Sequence, residues 1–250
     1  MLKFSKANAK TIRLAKTSLK KYLNGRKIYS LDLLSGVSCP FAHKCFSTAI
    51  VKNGRRSIQD GKHTEFRCYS ASQEVLYTNL YKLRLHNLTT LKKCKTVKDF
   101  VDTIQKNLPK DAGIIRIHSA GEMFCQEYFD AWNEVARLNP TILFYSYTKS
   151  LPYWVKRLGN ISPNLILTAS LGGRRDDLID KYKLRSARVV YSTYQAKRLG
   201  LRIDKSDEIA ANPQKKNQSF ALLLHNSQPA GSEAAKAWQR IKFSTGGYSR

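Results

Sequence analysis

The chain has 250 residues, 42% of them hydrophobic, so it can bury one substantial core without disulfide bonds. Its 44 Lys and Arg residues outnumber its 18 Asp and Glu residues, and the net charge of +26 attracts polyanions, nucleic acid among them. The number of cysteines is odd and no apolar segment reaches membrane-spanning length, so we expect a cytoplasmic protein with reduced thiols and no membrane partner.

The first 31 residues carry nine basic side chains and no acidic one. Four apolar residues recur there near helical spacing: Ile12, Ala15, Leu19 and Leu23. This pattern predicts a short amphipathic helix over residues 7–23, whose basic face either contacts phosphates or is a solvated face above a packed apolar stripe. We assign residues 1–27 to a basic N-terminal helical extension and residues 28–250 to a single α/β domain.

Strands and helices alternate in the rest of the chain. Strands are predicted at residues 28–34, 114–118, 141–147, 165–169, 188–192 and 220–224. Helices are predicted at residues 70–91, 96–108, 126–138, 152–158, 176–182 and 232–241, with polar loops at 52–62 and 204–218. Such alternation favours parallel pairing, because each crossover has to carry the chain back over the sheet. The pattern fits either a doubly wound sheet or a six-unit partial barrel.

In both folds, functional sites gather at the carboxyl ends of the strands. The polar residues that follow the six strands are therefore candidates: Ser38 and Cys39; His118, Ser119, Gly121 and Glu122; Tyr147, Thr148 and Lys149; Ser170, Gly172 and Gly173; Ser192 and Thr193; His225 and Asn226. Gly121 would let the backbone approach a ligand closely, and the Glu122 carboxylate can accept a hydrogen bond from an amino group.

Three cysteines follow the first predicted strand: Cys39, Cys45 and Cys68. Deprotonated sulfur is a strong donor to soft or borderline metals, which makes metal ligation one interpretation. The irregular spacing matches no zinc knuckle, so ordinary unpaired thiols are an equal alternative. Cys125 is either a fourth thiolate or a core-facing residue at a helix start, and Cys94, remote in sequence, is expected not to be a ligand.

Six segments form a recognisable set: GVSCP at 36–40, HKC at 43–45, TEFRCY at 64–69, IRIHSAGE at 115–122, YTKS at 147–150 and LTAS at 167–170. Together they resemble the phage gene product 88 domain family over most of the chain. The resemblance implies a phage or phage-like origin, and hence the cytoplasm of a host cell, without implying an activity.

The succession of six strand-helix units, with a cysteine loop after the first strand and a Gly-Glu turn after the second, is more distantly similar to radical S-adenosylmethionine enzymes. That resemblance implies a six-unit (β/α) partial TIM-like barrel with mostly parallel strands. It implies that a 4Fe-4S cluster, with one iron open, is bound by Cys39, Cys45 and Cys68. It also implies S-adenosylmethionine contacts from Ser119, Gly121, Glu122 and Ser170, and a catalytic substrate pocket lined by Tyr147, Lys149 and His225.

Two functional hypotheses follow. One is an iron-sulfur enzyme of the radical S-adenosylmethionine type, with its thiolate site at the rim of the strands. The other is a basic nucleic-acid-binding phage protein without catalytic activity, whose cysteines are structural or hold a stabilising metal. The placement of the cysteines favours the first and the net charge favours the second, and the two are compatible because an enzyme of the first kind can act on nucleic acid.

Overall fold

A seven-stranded sheet and a separate two-stranded hairpin organise the protein in a computed structural model that describes residues 1–245. The strands are β1 (Ser5–Lys6), β2 (Lys27–Leu31), β3 (Ser47–Lys52), β4 (Arg55–Asp60), β5 (Ala112–Ile117), β6 (Leu143–Thr148), β7 (Leu165–Ser170), β8 (Ser186–Val190) and β9 (Phe220–Leu223). β3 and β4 form the hairpin, and the other strands form the sheet.

Nine helices connect or follow these strands in the described part of the chain. They are α1 (Tyr69–Leu76), α2 (Thr78–Leu91), α3 (Val97–Asn107), α4 (Gln126–Leu138), α5 (Leu151–Val155), α6 (Asp177–Lys181), α7 (Thr193–Arg198), α8 (Glu208–Ala211) and α9 (Glu233–Thr245). Short 3-10 turns lie at Thr11–Lys16, Ser18–Tyr22 and Pro213–Lys215.

The sheet strands lie in the spatial order β1-β2-β5-β6-β7-β8-β9. The pairs from β2 to β9 are parallel and only β1 pairs antiparallel with its neighbour, which confirms an α/β fold with mostly parallel strands. The order lacks the reversal that a doubly wound sheet needs at its switch point. The TIM-like barrel is not confirmed, because in residues 1–245 the sheet stays open, with β1 and β9 at opposite edges.

Apolar side chains cover both faces of the sheet. Ile115 of β5 packs with Trp132 of α4 on one face, whereas the preceding Ile114 packs with Leu14 of the N-terminal segment on the other. Successive strand residues point to opposite faces, so a strand that is covered on both sides is apolar throughout rather than alternating. Burial of each such side chain contributes about 1.5–3 kcal/mol to stability.

The N-terminal segment forms two 3-10 turns instead of the predicted helix over residues 7–23. Thr17, between the turns, has an extended backbone (φ −111°, ψ −179°) that interrupts the helix, and its side chain accepts a hydrogen bond from the backbone N–H of Leu19. Leu14 and Leu19 are nevertheless buried, with 0% and 1% of their surface exposed. Leu14, Leu19 and Leu23 therefore pack on the sheet, whereas Ile12 of the predicted apolar stripe is exposed.

Three further predictions differ from the structure, and one of them is the loop over residues 204–218, which contains α8 and the 3-10 turn Pro213–Lys215. The predicted helix over residues 70–91 is divided into α1 and α2, because Tyr77 between them is extended (φ −111°, ψ 100°). The predicted loop over residues 52–62 contains part of a β-hairpin, in which Asn53 and Gly54 have positive φ angles of 49° and 73°. Two left-handed residues in succession define a type I′ turn, and the Asn-Gly pair is its usual sequence signal.

Leu14→Ala should lower the free energy of unfolding by about 2–5 kcal/mol, because it leaves a cavity in a fully buried part of the core. Ile12→Ala is the matched control, since Ile12 is 59% exposed in the same turn, and its effect should stay within about 0.5 kcal/mol. Urea unfolding measures both. Equal effects of the two substitutions would show that this segment does not pack as described.

Candidate functional site

A cavity of about 450 Å³ lies at the carboxyl ends of β2, β5, β6, β7 and β9. Its volume is in the range of small-molecule sites, roughly 300–1,000 Å³. Twelve candidate residues from the sequence line it: Cys39, Cys45, Cys68, His118, Ser119, Gly121, Glu122, Tyr147, Lys149, Ser170, His225 and Asn226. The parallel strands thus bring together side chains that are far apart in the chain.

The loop that carries Cys39 and Cys45 is held by the turn after β7. The backbone N–H of Lys44 donates to the carbonyl of Gly172 (2.9 Å), and that of Arg174 donates to the carbonyl of Phe41 (2.9 Å). The turn is itself fixed by the Asp176 carboxylate, which accepts hydrogen bonds from the N–H groups of Gly172 and Gly173 at 2.8 and 2.9 Å. This glycine turn therefore positions the cysteine loop.

The hairpin β3–β4 brings Cys45 and Cys68 to the same cavity. At its base, the N–H of Gly61 donates to the carbonyl of Phe46 (2.8 Å), and the N–H of Glu65 donates to the carbonyl of Lys44 (2.8 Å). The chain therefore returns to its starting point after the hairpin. Cys68 then stands directly before α1, at its N-cap position.

Two of the cavity thiols, Cys39 and Cys68, have raised pKa values and hold their protons at neutral pH. Burial, together with the neighbouring Cys45, raises the pKa of the Cys68 thiol to about 11, although the backbone N–H groups of Ala71 and Ser70 favour its thiolate. Burial and the Glu122 carboxylate likewise raise the pKa of Cys39 well above its usual range. Among residues 1–245, no three or more His, Cys, Asp or Glu side chains are grouped so as to hold a metal ion.

Lys149 places a positive charge among these thiols. Its side chain is buried, and its ammonium group donates to the Ser170 hydroxyl at 2.6 Å. Burial alone would lower the pKa of Lys149, but interaction with Cys45 and Glu122 raises it above the usual value. The group therefore remains charged inside the cavity.

Glu122 and Gly121 hold the strand ends together. The buried Glu122 carboxylate accepts hydrogen bonds from Met123 N (3.0 Å), from the Thr148 hydroxyl (2.9 Å) and from the backbone N–H of Lys149. Gly121 has φ +83°, and a Cβ there would stand 2.6 Å from Leu33 Cβ. These contacts give Gly121 and Glu122 a structural role at the strand ends. Their contacts with S-adenosylmethionine remain a prediction.

A family model for gene product 88 matches residues 2–240. The chain belongs to the phage gene product 88 family. No curated protein and no solved structure matches it. The resemblance to the phage family is confirmed, whereas the more distant one to radical S-adenosylmethionine enzymes has no support from these comparisons. No helix in the described part of the chain is long and apolar enough to cross a membrane.

In this gene product 88 protein, a buried carboxylate that was not among the predicted site residues holds together the side chains behind the cavity. Asp207 is fully buried and lies behind Arg116 and Tyr147, which line the wall of the cavity. It accepts hydrogen bonds or ion pairs from Lys10 Nζ (2.6 Å), Arg116 Nη1 (2.8 Å), Tyr147 Oη (2.9 Å) and Tyr145 Oη (3.1 Å). Burial opposes its charge, but Arg116 and Lys10 hold the pKa of Asp207 well below its usual range. The sequence signal was Arg116, a charged residue in an otherwise apolar strand, since a buried Arg needs a carboxylate.

Two histidines line the cavity of the gene product 88 protein in their neutral form. Burial lowers the pKa of His118 to about 3, and its Nε2 lies 3.0 Å from the Tyr128 hydroxyl. His118 has a left-handed backbone (φ 66°), and its Nδ1 has no hydrogen-bond partner among the described residues. Burial also lowers the pKa of His225, whose Nδ1 lies 3.1 Å from the Leu223 carbonyl.

The two remaining cysteines do not line the cavity. Cys125 occupies the N-cap position of α4 and packs against the main core, where burial raises its pKa to about 11. The sulfur of Cys94 lies 3.5 Å from the Thr103 hydroxyl and packs against the same core. The structure therefore places Cys125 in the core-facing role that was one of its two interpretations.

Asp207→Asn should destabilise the gene product 88 protein by about 3–5 kcal/mol at pH 7, because it removes the buried carboxylate that pairs with the buried Arg116 guanidinium. The folded-state pKa of Asp207 is depressed, so its contribution is present above the unfolded pKa of about 3.9 and is lost as the pH falls below it. The difference in the free energy of unfolding between wild type and Asp207→Asn should therefore become smaller towards pH 3. Urea unfolding at both pH values measures it.

Asp177→Asn is the control, because Asp177 forms an exposed ion pair with Arg175 and should show no measurable change in stability. If Asp207→Asn lowered the free energy of unfolding no more than this control does, the assigned role of Asp207 would be contradicted.

Proposed function

We propose that this gene product 88 protein is an iron-sulfur enzyme in which Cys39, Cys45 and Cys68 hold a 4Fe-4S cluster at the carboxyl-terminal rim of the sheet. One observation carries the proposal: three thiols from two separate segments, one with Cys39 and Cys45 and the other with Cys68, line a single cavity together with a buried ammonium group. Neither zinc-type spacing nor a disulfide framework accounts for that convergence.

The donor set suits the cluster chemically. Thiolates are the usual ligands of iron-sulfur clusters, and three of them leave one iron open to a further ligand. A cluster with three thiolates is anionic, and the charged Lys149 ammonium is positioned to compensate it. The N–H groups of Ser70 and Ala71 favour the thiolate form of Cys68. Because Cys39 and Cys68 are protonated and the three thiols form no metal-binding group among the described residues, cluster binding would draw the thiols together and release protons.

S-adenosylmethionine is the proposed cosubstrate beside the open iron. With a cluster bound, one electron from an external one-electron donor would pass through it to the sulfonium, and one carbon–sulfur bond would break to give methionine and a carbon-centred radical. Four residues line the proposed cosubstrate side of the cavity: Ser119, Gly121, Glu122 and Ser170. In this arrangement Glu122 acts by fixing the backbone of the turn, since its oxygens already accept three protein hydrogen bonds.

The other side of the cavity is the proposed substrate pocket. Tyr147 is oriented by its hydroxyl, which donates to Asp207, and its ring lies against the Arg116 guanidinium at 5.3 Å. Lys149 offers a charged donor, and His225 a neutral imidazole. These three residues would orient the substrate and exclude water from it.

The test is the iron and sulfide content after anaerobic reconstitution. Wild type should bind about four of each per chain and turn brown, and Cys39→Ser, Cys45→Ser and Cys68→Ser should each lose most of the iron. Cys125→Ser is the matched control, since this cysteine lies outside the cavity, and it should keep the full content. Uptake should strengthen as the pH rises, because the Cys68 thiol, with a pKa of about 11, must lose its proton.

A wild-type protein that stays colourless and binds no iron under these conditions would exclude the cluster. Equal losses in the Cys68→Ser and Cys125→Ser variants would exclude the assigned ligands.

Nucleic-acid binding without catalysis is the second candidate, with the cysteines structural or metal-stabilising. Its support is the net charge of +26 and the absence of acidic residues in the first 31 positions. Polyanion binding releases counterions, so the logarithm of the affinity should fall linearly with the logarithm of the salt concentration. Absence of binding at low salt would exclude this function.

A further inference from the structure

The hairpin β3–β4 presents two basic side chains at its tip. Lys52 and Arg55 flank the Asn53-Gly54 turn and are both exposed. Residues 47–62 contain four basic residues and a single acidic one, Asp60. That carboxylate is already occupied, because Arg67 donates to it from Nε at 3.0 and 3.2 Å.

Lys52 and Arg55 oppose each other directly across the two strands. Like charges in that position destabilise a hairpin, and the type I′ turn holds the two residues at this register. Neither side chain has an ion-pair partner among residues 1–245. The repulsion at the tip is therefore not relieved within the described chain, and an external anion between the two groups would relieve it.

The orientation of the hairpin is fixed by Arg56. Its guanidinium donates to the Thr78 hydroxyl (2.5 Å) and to the Val75 carbonyl (3.3 Å), and it lies over the Tyr81 ring at 5.4 Å. Of the basic residues on β4, this one anchors the hairpin to α1 and α2. Lys52 and Arg55 remain available at the tip.

We propose that the tip of the hairpin, through Lys52 and Arg55, binds the phosphate backbone of a nucleic acid and presents the strand to the cavity. The inference deepens the proposed enzyme function by naming its substrate class, and rests on that function for the cavity. Five strand steps separate Ser47 from Lys52, about 17 Å at 3.4 Å per step. This length equals about five nucleotide steps along one strand, so one nucleic-acid strand can reach the hairpin tip and the cavity at the same time.

The test compares two doubly substituted proteins with equal charge changes. Lys52→Gln/Arg55→Gln removes the tip charges. Lys92→Gln/Lys93→Gln removes two exposed charges just beyond the far end of α2, about 20 Å from the helix start that Arg56 contacts. Fluorescence anisotropy with labelled single-stranded and duplex DNA and RNA of about 16 nucleotides, across a salt series, gives affinities and salt slopes.

The tip variant should lose about 10-fold or more in affinity at low salt, and its salt slope should fall by about two, one for each phosphate contact. The control should change affinity less than about 3-fold. The melting temperature of the tip variant should be equal to or above that of wild type, because a repulsive pair is removed. Its iron content after reconstitution should be unchanged.

Equal losses in the two variants, or no loss in the tip variant, would overturn the assignment of the tip. Binding to polyglutamate or to anionic phosphatidylserine vesicles as strong as binding to nucleic acid would overturn the choice of partner. Failure of the cluster proposal is read separately from iron content, since wild type could then bind nucleic acid through the tip without binding iron.

Discussion

A single buried carboxylate connects the parts of the chain that form the cavity wall. Asp207 receives its four donors from the N-terminal segment, from β5 and from β6, so these elements are fixed relative to one another at one point. Burial of an isolated charge is strongly unfavourable, and a folded arrangement that lacks any of these donors would bear that cost. The wall is therefore specified by charge pairing as well as by apolar packing.

The other side of the cavity is held by hydrogen bonds to backbone and hydroxyl groups instead of ion pairs. Glu122 joins the end of β5 to the end of β6 through backbone N–H groups, and Gly121 allows the turn to lie against Leu33. The cysteine loop is pinned to the turn after β7 by two backbone hydrogen bonds. Rigid supports thus surround a cavity whose thiols themselves form no closed group among the described residues.

The sequence predicted the sheet well and its accessory elements poorly. Strands such as β5 and β7 are buried on both faces, so their apolar runs stand out. The rule that sites lie at strand ends placed most of the candidate residues at one cavity, whereas Ser192 and Thr193 after β8 line a different one. The N-terminal helix was wrong because Thr17 has an extended backbone, which no periodicity reveals. Asp207 was missed because its four donors lie far away in the chain, and only Arg116 signalled the need for a buried partner.

The hairpin between Cys45 and Cys68 allows these two cysteines to line one cavity although they are far apart in the chain. Because its strands return to a common base, the hairpin could gain or lose residue pairs without moving either thiol, so a spacing motif is a poor guide to this kind of site. The hairpin begins beside Cys45, is fixed by Arg56 to α1 and α2, and leads through Cys68 directly into α1. A force on its tip would therefore be transmitted to the segments that carry both thiols, so that contacts at the surface are coupled to the geometry of the cavity.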